Sequence, residues 1–184
     1  MKTSLLQGVA AFFTAGFMGL TGCGPGEPGA TEQELGTARA ALSDGQVVRI
    51  VPAHSSKCFD VENGSTADGA RIQQWDCWGA GQQSFLARWN SPDNSWRFIA
   101  NHSGKCLDVR EAGTANGTPL QQWSCGGGSN QYFRLEYVIG DEYRVRPVYI
   151  NKCLDVSGYS VSNGAQVHLW DCNIGSNQLF RFVW

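Results

Sequence analysis

The stretch CLDVREAGTANGTPLQQWSC (106–125) decides how this chain is read, because the chain writes it three times. The other copies are CFDVENGSTADGARIQQWDC (58–77) and CLDVSGYSVSNGAQVHLWDC (153–172). Each copy opens on Cys-x-Asp-Val and closes on Trp-x-Cys, with its cysteines 19 positions apart. The copies begin 48 and 47 residues apart. A period of that size marks one supersecondary unit used three times, since a single unit cannot bury its own apolar face.

Around these stretches, from Gly45 onward, apolar runs are short, β-branched or aromatic, and separated by Gly, Asn, Asp and Ser. The pattern predicts twelve strands, four per repeat: 47–51, 58–61, 72–75, 85–89, 96–100, 106–109, 120–123, 133–138, 143–147, 153–156, 167–170 and 180–183. No window outside the N-terminal apolar run has a helical period. Asp68-Gly69, Asn116-Gly117 and Asn163-Gly164 fall ten residues after the first cysteine of their copies, as turns needing positive φ. About 140 residues make one ordinary domain, with repeats at about 46–94, 95–142 and 143–184 of a 45–184 unit. Three such units closing round a pseudo-threefold axis give an all-β barrel with few free edges. The expected core triplets are Phe85, Phe133 and Phe180; Ile72, Leu120 and Val167; and Val61, Val109 and Val156.

Charge excludes one class of partner. Residues 45–184 carry 12 Lys and Arg against 12 Asp and Glu, without a basic run. Nucleic-acid binding would need clustered cations. Seven cysteines leave one over in a chain that reads as exported. Met1-Lys2 precedes an uncharged, mostly apolar run from Leu5 to Leu20, which ends in Leu20-Thr21-Gly22-Cys23. Setting Cys23 aside leaves six cysteines, for which 15 pairings are possible. The repeat favours the one that treats every copy alike: Cys58–Cys77, Cys106–Cys125 and Cys153–Cys172. Each bridge would add ~3 kcal/mol by chain-entropy estimates and requires an oxidising compartment. No Cys-x-x-Cys occurs and histidines number three, so the expectation is no metal and no cofactor. Residues 24–44 are rich in Gly and Pro early and poor in large apolar residues, and read as a tether.

The segment ending in Cys23 resembles the lipobox of bacterial lipoproteins, which implies a signal peptide over 1–22, a lipid on Cys23 and an extracytoplasmic, membrane-tethered protein; an ordinary secretion signal is the alternative. The outer membrane is weakly favoured over the inner, because Gly24 rather than Asp follows Cys23. The repeated pattern, Cys-x-Asp-Val, then apolar-Gln-x-Trp-x-Cys, then Asn-Gln-x-aromatic, resembles the ricin-type β-trefoil lectins, and the resemblance covers about 46–184. Where that family usually ends a repeat with Gln-x-Trp, this chain has Gln83-Ser84-Phe85, Gln131-Tyr132-Phe133 and Gln178-Leu179-Phe180. The aromatic belongs to the core, so repacking is expected rather than lost binding.

The resemblance implies carbohydrate binding, and the chemistry is simple. A pyranose has an apolar C–H face that an aromatic ring can cover. Its hydroxyls can be held by a carboxylate, in strong charged hydrogen bonds, and by amides, which donate and accept. In the second repeat the implied residues are Asp108 as acceptor, Trp123 as platform, Gln121 and Asn130 on hydroxyls, and Gln131 on the sugar or orienting Asp108. In the third they are Asp155, Trp170, Asn177, Gln178 and His168, an imidazole in place of Gln. In the first they are Asp60, Trp75, Gln73 and Gln83, with Gln82 in place of Asn. Trp78, without an aromatic counterpart, either adds a sugar contact or covers the disulfide. An Asp at these positions can equally serve turn N–H groups, and the Trp can be core cover. His54, His102 and Tyr149 share a repeat position that reads as a turn or strand end. Lys57, Lys105 and Lys152 read as a solvated edge, and Asp76 and Asp171 as surface.

No Gly-x-Ser-x-Gly, phosphate loop or His-Glu-x-x-His occurs, so the expectation is a non-enzyme. The expected partners are glycans, galactose- or xylan-type, with the chain monomeric. The rival readings are a trefoil scaffold for protein binding or inhibition, and a targeting subunit of a glycan-degrading system.

Overall fold

A computed structural model describes residues 42–184. The lipobox, Cys23 and most of the expected tether lie outside the described residues. The twelve strands are β1 Val47–Pro52, β2 Cys58–Val61, β3 Ile72–Trp75, β4 Phe85–Asn90, β5 Ser95–Ala100, β6 Cys106–Val109, β7 Leu120–Trp123, β8 Phe133–Ile139, β9 Glu142–Pro147, β10 Cys153–Val156, β11 Val167–Trp170 and β12 Phe180–Val183. The helical residues among those described form seven three-residue 3-10 turns.

Six strands pair antiparallel in the order β4-β1-β12-β9-β8-β5, and β5 returns to β4, closing a barrel without free edges. The remaining strands form three hairpins, β2–β3, β6–β7 and β10–β11, one per repeat. This is the β-trefoil. Alternation sends Phe85, Ala87, Phe133, Phe180 and Phe182 inward, where they meet Ile72, Leu120 and Val167 from the hairpins. All nine triplet residues expected in the core have no exposed surface. Each hairpin is stapled to the loop beyond its second strand by the intra-repeat disulfides Cys58–Cys77, Cys106–Cys125 and Cys153–Cys172.

The outer edges of the hairpins are not left open. Gly69 N–H donates to Gln122 O, Gly117 N–H to Leu169 O and Gly164 N–H to Gln74 O. Each Gly-containing turn therefore pairs with the second hairpin strand of the next repeat, and the third with the first, in a closed cycle. The three glycines have φ of +83°, +85° and +85°, the left-handed region that a β-carbon disfavours.

Side chains repeat the same cycle. Asp68 binds Ser124 and Lys105, Asn116 binds Asp171 and Lys152, and Asn163 binds Asp76. Lys57 pairs with Asp76 and Lys152 with Asp171. Each junction thus holds one carboxylate and one lysine. At the junction where Ser124 occupies the place of Asp76 and Asp171, the acid is Asp68 on the turn of the first repeat. The lysines are not a solvated edge: their side chains are only 15–20% exposed, buried by these junctions.

His54, His102 and Tyr149 also cross between lobes, bonding Ser160 O, Ser65 O and Gly113 O. Beside the histidines, Ser55 donates to Gln74 and Ser103 to Gln122, and both glutamines are fully buried. The third copy replaces His, Ser and Gln together with Tyr149, Ile150 and Leu169. A buried polar set is tolerated when complete or wholly exchanged, and is costly when half made.

Candidate functional site

The two strands of each hairpin set the site. Asp60 lies opposite Gln73, Asp108 opposite Gln121 and Asp155 opposite His168. Their side chains share one face, and the Trp two residues beyond the Gln or His stands on that face at the strand end. The indoles of Trp75, Trp123 and Trp170 are 41%, 45% and 41% exposed. They are open platforms, not core cover.

In the second repeat Asp108 forms the floor of a cavity of about 530 Å3 lined by Trp123, Gln121, Asn130, Gln131, Arg110 and Gly69. Its Oδ1 accepts from Gln121 Nε2 at 2.9 Å. Its Oδ2 accepts from Asn130 Nδ2 at 2.8 Å and Gln131 Nε2 at 2.9 Å. The donors are side-chain amides rather than turn N–H groups. A carboxylate has about four lone-pair sites, so three donors leave about one for a hydroxyl. Burial pushes the Asp108 carboxyl above the ordinary carboxylate range, against the amide hydrogen bonds.

Gln131 is clamped by the loop: Gly126 N–H donates to its Oε1 at 3.0 Å, and its Nε2 also donates to Ser124 O at 3.1 Å. Gln83 and Gln178 hold Asp60 and Asp155 in the same way; both are fully buried and line neither cavity, whereas Gln131 lines the second. Gln121 Oε1 is occupied by Arg110 Nε at 3.1 Å. Arg110 and Glu111 were not expected at the site. Sequence offered no signal for them, since Glu62 and Ser157 stand at the equivalent of Arg110, and Asn63 and Gly158 at that of Glu111.

The third repeat keeps the arrangement in a cavity of about 380 Å3. Asp155 Oδ2 meets Asn177 Nδ2 and Gln178 Nε2, both at 2.8 Å, and Oδ1 meets His168 Nε2 at 3.1 Å. The His168 ring stacks against Trp170 at 5.4 Å. Tyr159 forms a second aromatic wall, hydrogen-bonded to Ser176. It sits at φ +55°, where the other copies have Gly64 and Ala112.

The first repeat departs from the other two. Gln73 and Gln83 bond Asp60 at 3.2 and 3.0 Å, whereas Gln82 lies over Gly64. The reason is two residues upstream. A β-carbon on Gly128 or Gly175 would come within 2.5 Å of Oδ1 of Asn130 or Asn177. The first copy has Ala80 there, so the amide is displaced along with its longer side chain. The cavity shrinks to about 200 Å3, walled by Trp75 and the 65%-exposed Trp78. Asp60, with two donors, is also pushed up by burial.

The turn glycines complete the sites from a neighbouring lobe. Gly69 lies against Trp123 and Gln121, and Gly164 against Trp75 and Gln73; a β-carbon on either would sit 3.8–3.9 Å from these side chains. Among the described residues no cluster of His, Cys, Asp and Glu has the makings of a metal site.

Comparison with known proteins bears on the family and the fold. Two overlapping stretches, 35–123 and 82–170, match the ricin-type beta-trefoil lectin domain-like family. The designed 3-fold symmetric protein ThreeFoil is 37% identical over 75% of this chain and 98% of its own, with a TM-score of 0.72. An exo-beta-1,3-galactanase from Clostridium thermocellum is 26% identical with a TM-score of 0.73; the match covers 78% of this chain but 31% of that one. A ricin B-like lectin of Macrolepiota procera, in complex with lactose, shares the fold at 20% identity, 78% and 99% coverage and a TM-score of 0.68. No curated protein matches the sequence. By its family match, its threefold fold and its repeated hairpin sites, this chain belongs to the ricin-type β-trefoil lectin domain-like family.

Proposed function

We propose that the protein binds carbohydrate without transforming it, one sugar residue per occupied lobe, and that it does so outside the cytoplasm, held to a membrane by a lipid on Cys23. The observation that carries the binding reading is the thrice-repeated pairing of a solvent-open indole with a buried carboxylate fixed by side-chain amides. Such a carboxylate is pre-oriented, and it lines the same cavity as the platform in each lobe. Binding then needs little reorganisation. The second lobe leads, since it has the complete donor set and the largest cavity. The third follows, and the first, lacking the Asn and narrowed by Trp78, is weakest.

The non-catalytic part of the proposal is supported by the repeat. Glycoside hydrolysis uses two carboxyl groups ~5–10 Å apart. The carboxyl common to the three sites is the Asp; the second site alone adds Glu111, where the other copies have Asn63 and Gly158. A glycan array spanning galactose- and xylan-type ligands tests the function. Binding abolished by Trp123→Ala with Trp170→Ala supports it, and an array without a single hit contradicts it. For the anchor, Cys23→Ser is expected to release the protein from membranes or stop its processing; unaltered retention contradicts the lipid.

A second reading rests on the galactanase, of whose chain a domain like this one makes up about a third. The present chain would then localise a separate partner enzyme on its substrate. Co-purification of a glycosidase activity that depends on the chain, but not on its sugar sites, would favour that role.

A further inference from the structure

The barrel end remote from the sugar sites carries a second threefold feature. Trp89, Tyr137 and Trp184 each fall four residues after the core phenylalanines Phe85, Phe133 and Phe180. They share the inward-facing parity of their strands but lie past the packed layer, at the barrel mouth, and are 41%, 66% and 51% exposed. Trp96 and Tyr143 stand beside them across the ladders, with ring separations of 5.0 and 5.9 Å. Charges near the mouth are matched: Arg88 with Asp44, and Arg181 with Asp141 and Glu142. Exposed aromatic residues gathered at one end of a domain mark an interaction site, and none of these belongs to a sugar site.

The chain itself points to the occupant. Leu42 packs against the core, Asp44 Oδ1 accepts from the backbone N–H of Trp89 at 2.9 Å, and Gly45 N–H donates to Ala87 O. The N-terminal segment therefore enters the domain at this mouth. Leu42 lies 19 positions after Cys23 and the apolar run before it, a distance of at most ~65 Å fully extended. Trp and Tyr are the side chains that settle at a membrane–water interface, with the ring in the headgroup layer and the polar edge wet.

We infer that the Trp89–Tyr137–Trp184 mouth docks on the surface of the lipid bilayer to which the chain is tethered. This rests on the anchored-lectin reading for its membrane. The hairpins carrying the sugar sites leave the same strands from the other end: Phe85 pairs with Ala100, beside the β5–β6 connection, while Trp89 pairs with Trp96. Four residues of strand put ~13 Å between those levels. Docking by the mouth turns the three sites away from the lipid, towards incoming glycan.

The test uses the full chain mixed with phosphatidylcholine vesicles, with and without brominated acyl chains, which quench nearby tryptophan. Wild type is expected to float with the vesicles and to be quenched. At least half of the quenching should be lost in Trp89→Phe with Trp184→Phe, and none in Trp123→Phe with Trp170→Phe. Sugar binding by the first double variant should be unchanged, which shows that it is folded. Flotation with equal quenching in both double variants overturns the docking and leaves the lectin intact. Failure to float overturns docking and anchor together. Self-association that vanishes in Trp89→Phe with Trp184→Phe, without quenching, assigns the mouth to a second copy and also overturns it. The glycan array, which needs no lipid, reports separately on the lectin reading.

Discussion

Trp123→Ala tests whether the indole is a platform for ligand or merely a surface residue. A tryptophan side chain offers up to ~250 Å2. At 45% exposed, about 110 Å2 faces solvent, and a sugar lying on one side of the ring covers about half of that. At ~25 cal/mol per Å2 the ring face alone contributes about 1.4 kcal/mol, and a matching sugar face doubles this. The expected loss is therefore ten- to about a hundredfold in affinity at the second site. Stability should shift little, since exposed positions usually change it by less than ~0.5 kcal/mol. Calorimetric titration in a Trp75→Ala, Trp170→Ala background isolates the site, and thermal melting checks the fold. Affinity unchanged by Trp123→Ala, with Trp170→Ala in the otherwise native chain abolishing binding, would refute both the platform role and the order of the sites.

Three further outcomes follow from particular contacts. Burial raises the Asp60 and Asp108 carboxyls, and only the ionised forms accept on both oxygens, so binding at these lobes should fade as pH falls towards a value above the ordinary carboxylate range. Stability from the same two groups moves the other way: the folded chain holds their protons more tightly than the unfolded, so it rises as pH falls between the unfolded and folded values, and paired titrations and melts across pH 4–7 should show the opposition. Gln82→Asn alone should fail to strengthen the first site, because Ala80 blocks the amide, whereas Ala80→Gly with Gln82→Asn should increase affinity there several-fold by titration in a Trp123→Ala, Trp170→Ala background. Gln74→Leu should cost about 1–3 kcal/mol by removing the acceptor of the Ser55 hydroxyl and the donor to Ser162 O, with Ser160 O left to His54 alone, and adding His54→Tyr with Ser55→Ile, which copies the junction of the third lobe, should recover most of it in chemical denaturation.

The fold was legible in sequence because period, turn chemistry and alternation agree at every repeat. The strands fall where β-branched and aromatic runs predict them, and Gly69, Gly117 and Gly164 take the positive φ their turns required. The site was legible as a set of residue types but not as a division of labour. Repetition picks out Gln83, Gln131 and Gln178 as strongly as the aspartates they bond, and only the coordinates separate Gln83 and Gln178, which line no cavity, from Gln131, which does. The displacement of Gln82 was readable in principle, as Ala80 for Gly128 and Gly175, but its steric meaning needs coordinates. Arg110 and Tyr159 break the repeat, so a reading built on repetition passes over them. The lysines looked solvated because their partners stand 19 positions on in the same repeat, Asp76 and Asp171, or on the turn of another, Asp68 and Asn116, and no local window joins them.

The most direct measurement is a heteronuclear titration that follows the indole N–H signals of Trp75, Trp123 and Trp170 as galactose- and xylose-type glycans are added. The account predicts that Trp123 and Trp170 shift with saturable curves, while Trp96, in the barrel, stays fixed. If every glycan leaves all three hairpin indoles unmoved, the open shelf beside each fixed carboxylate is architecture alone and the protein is not a lectin.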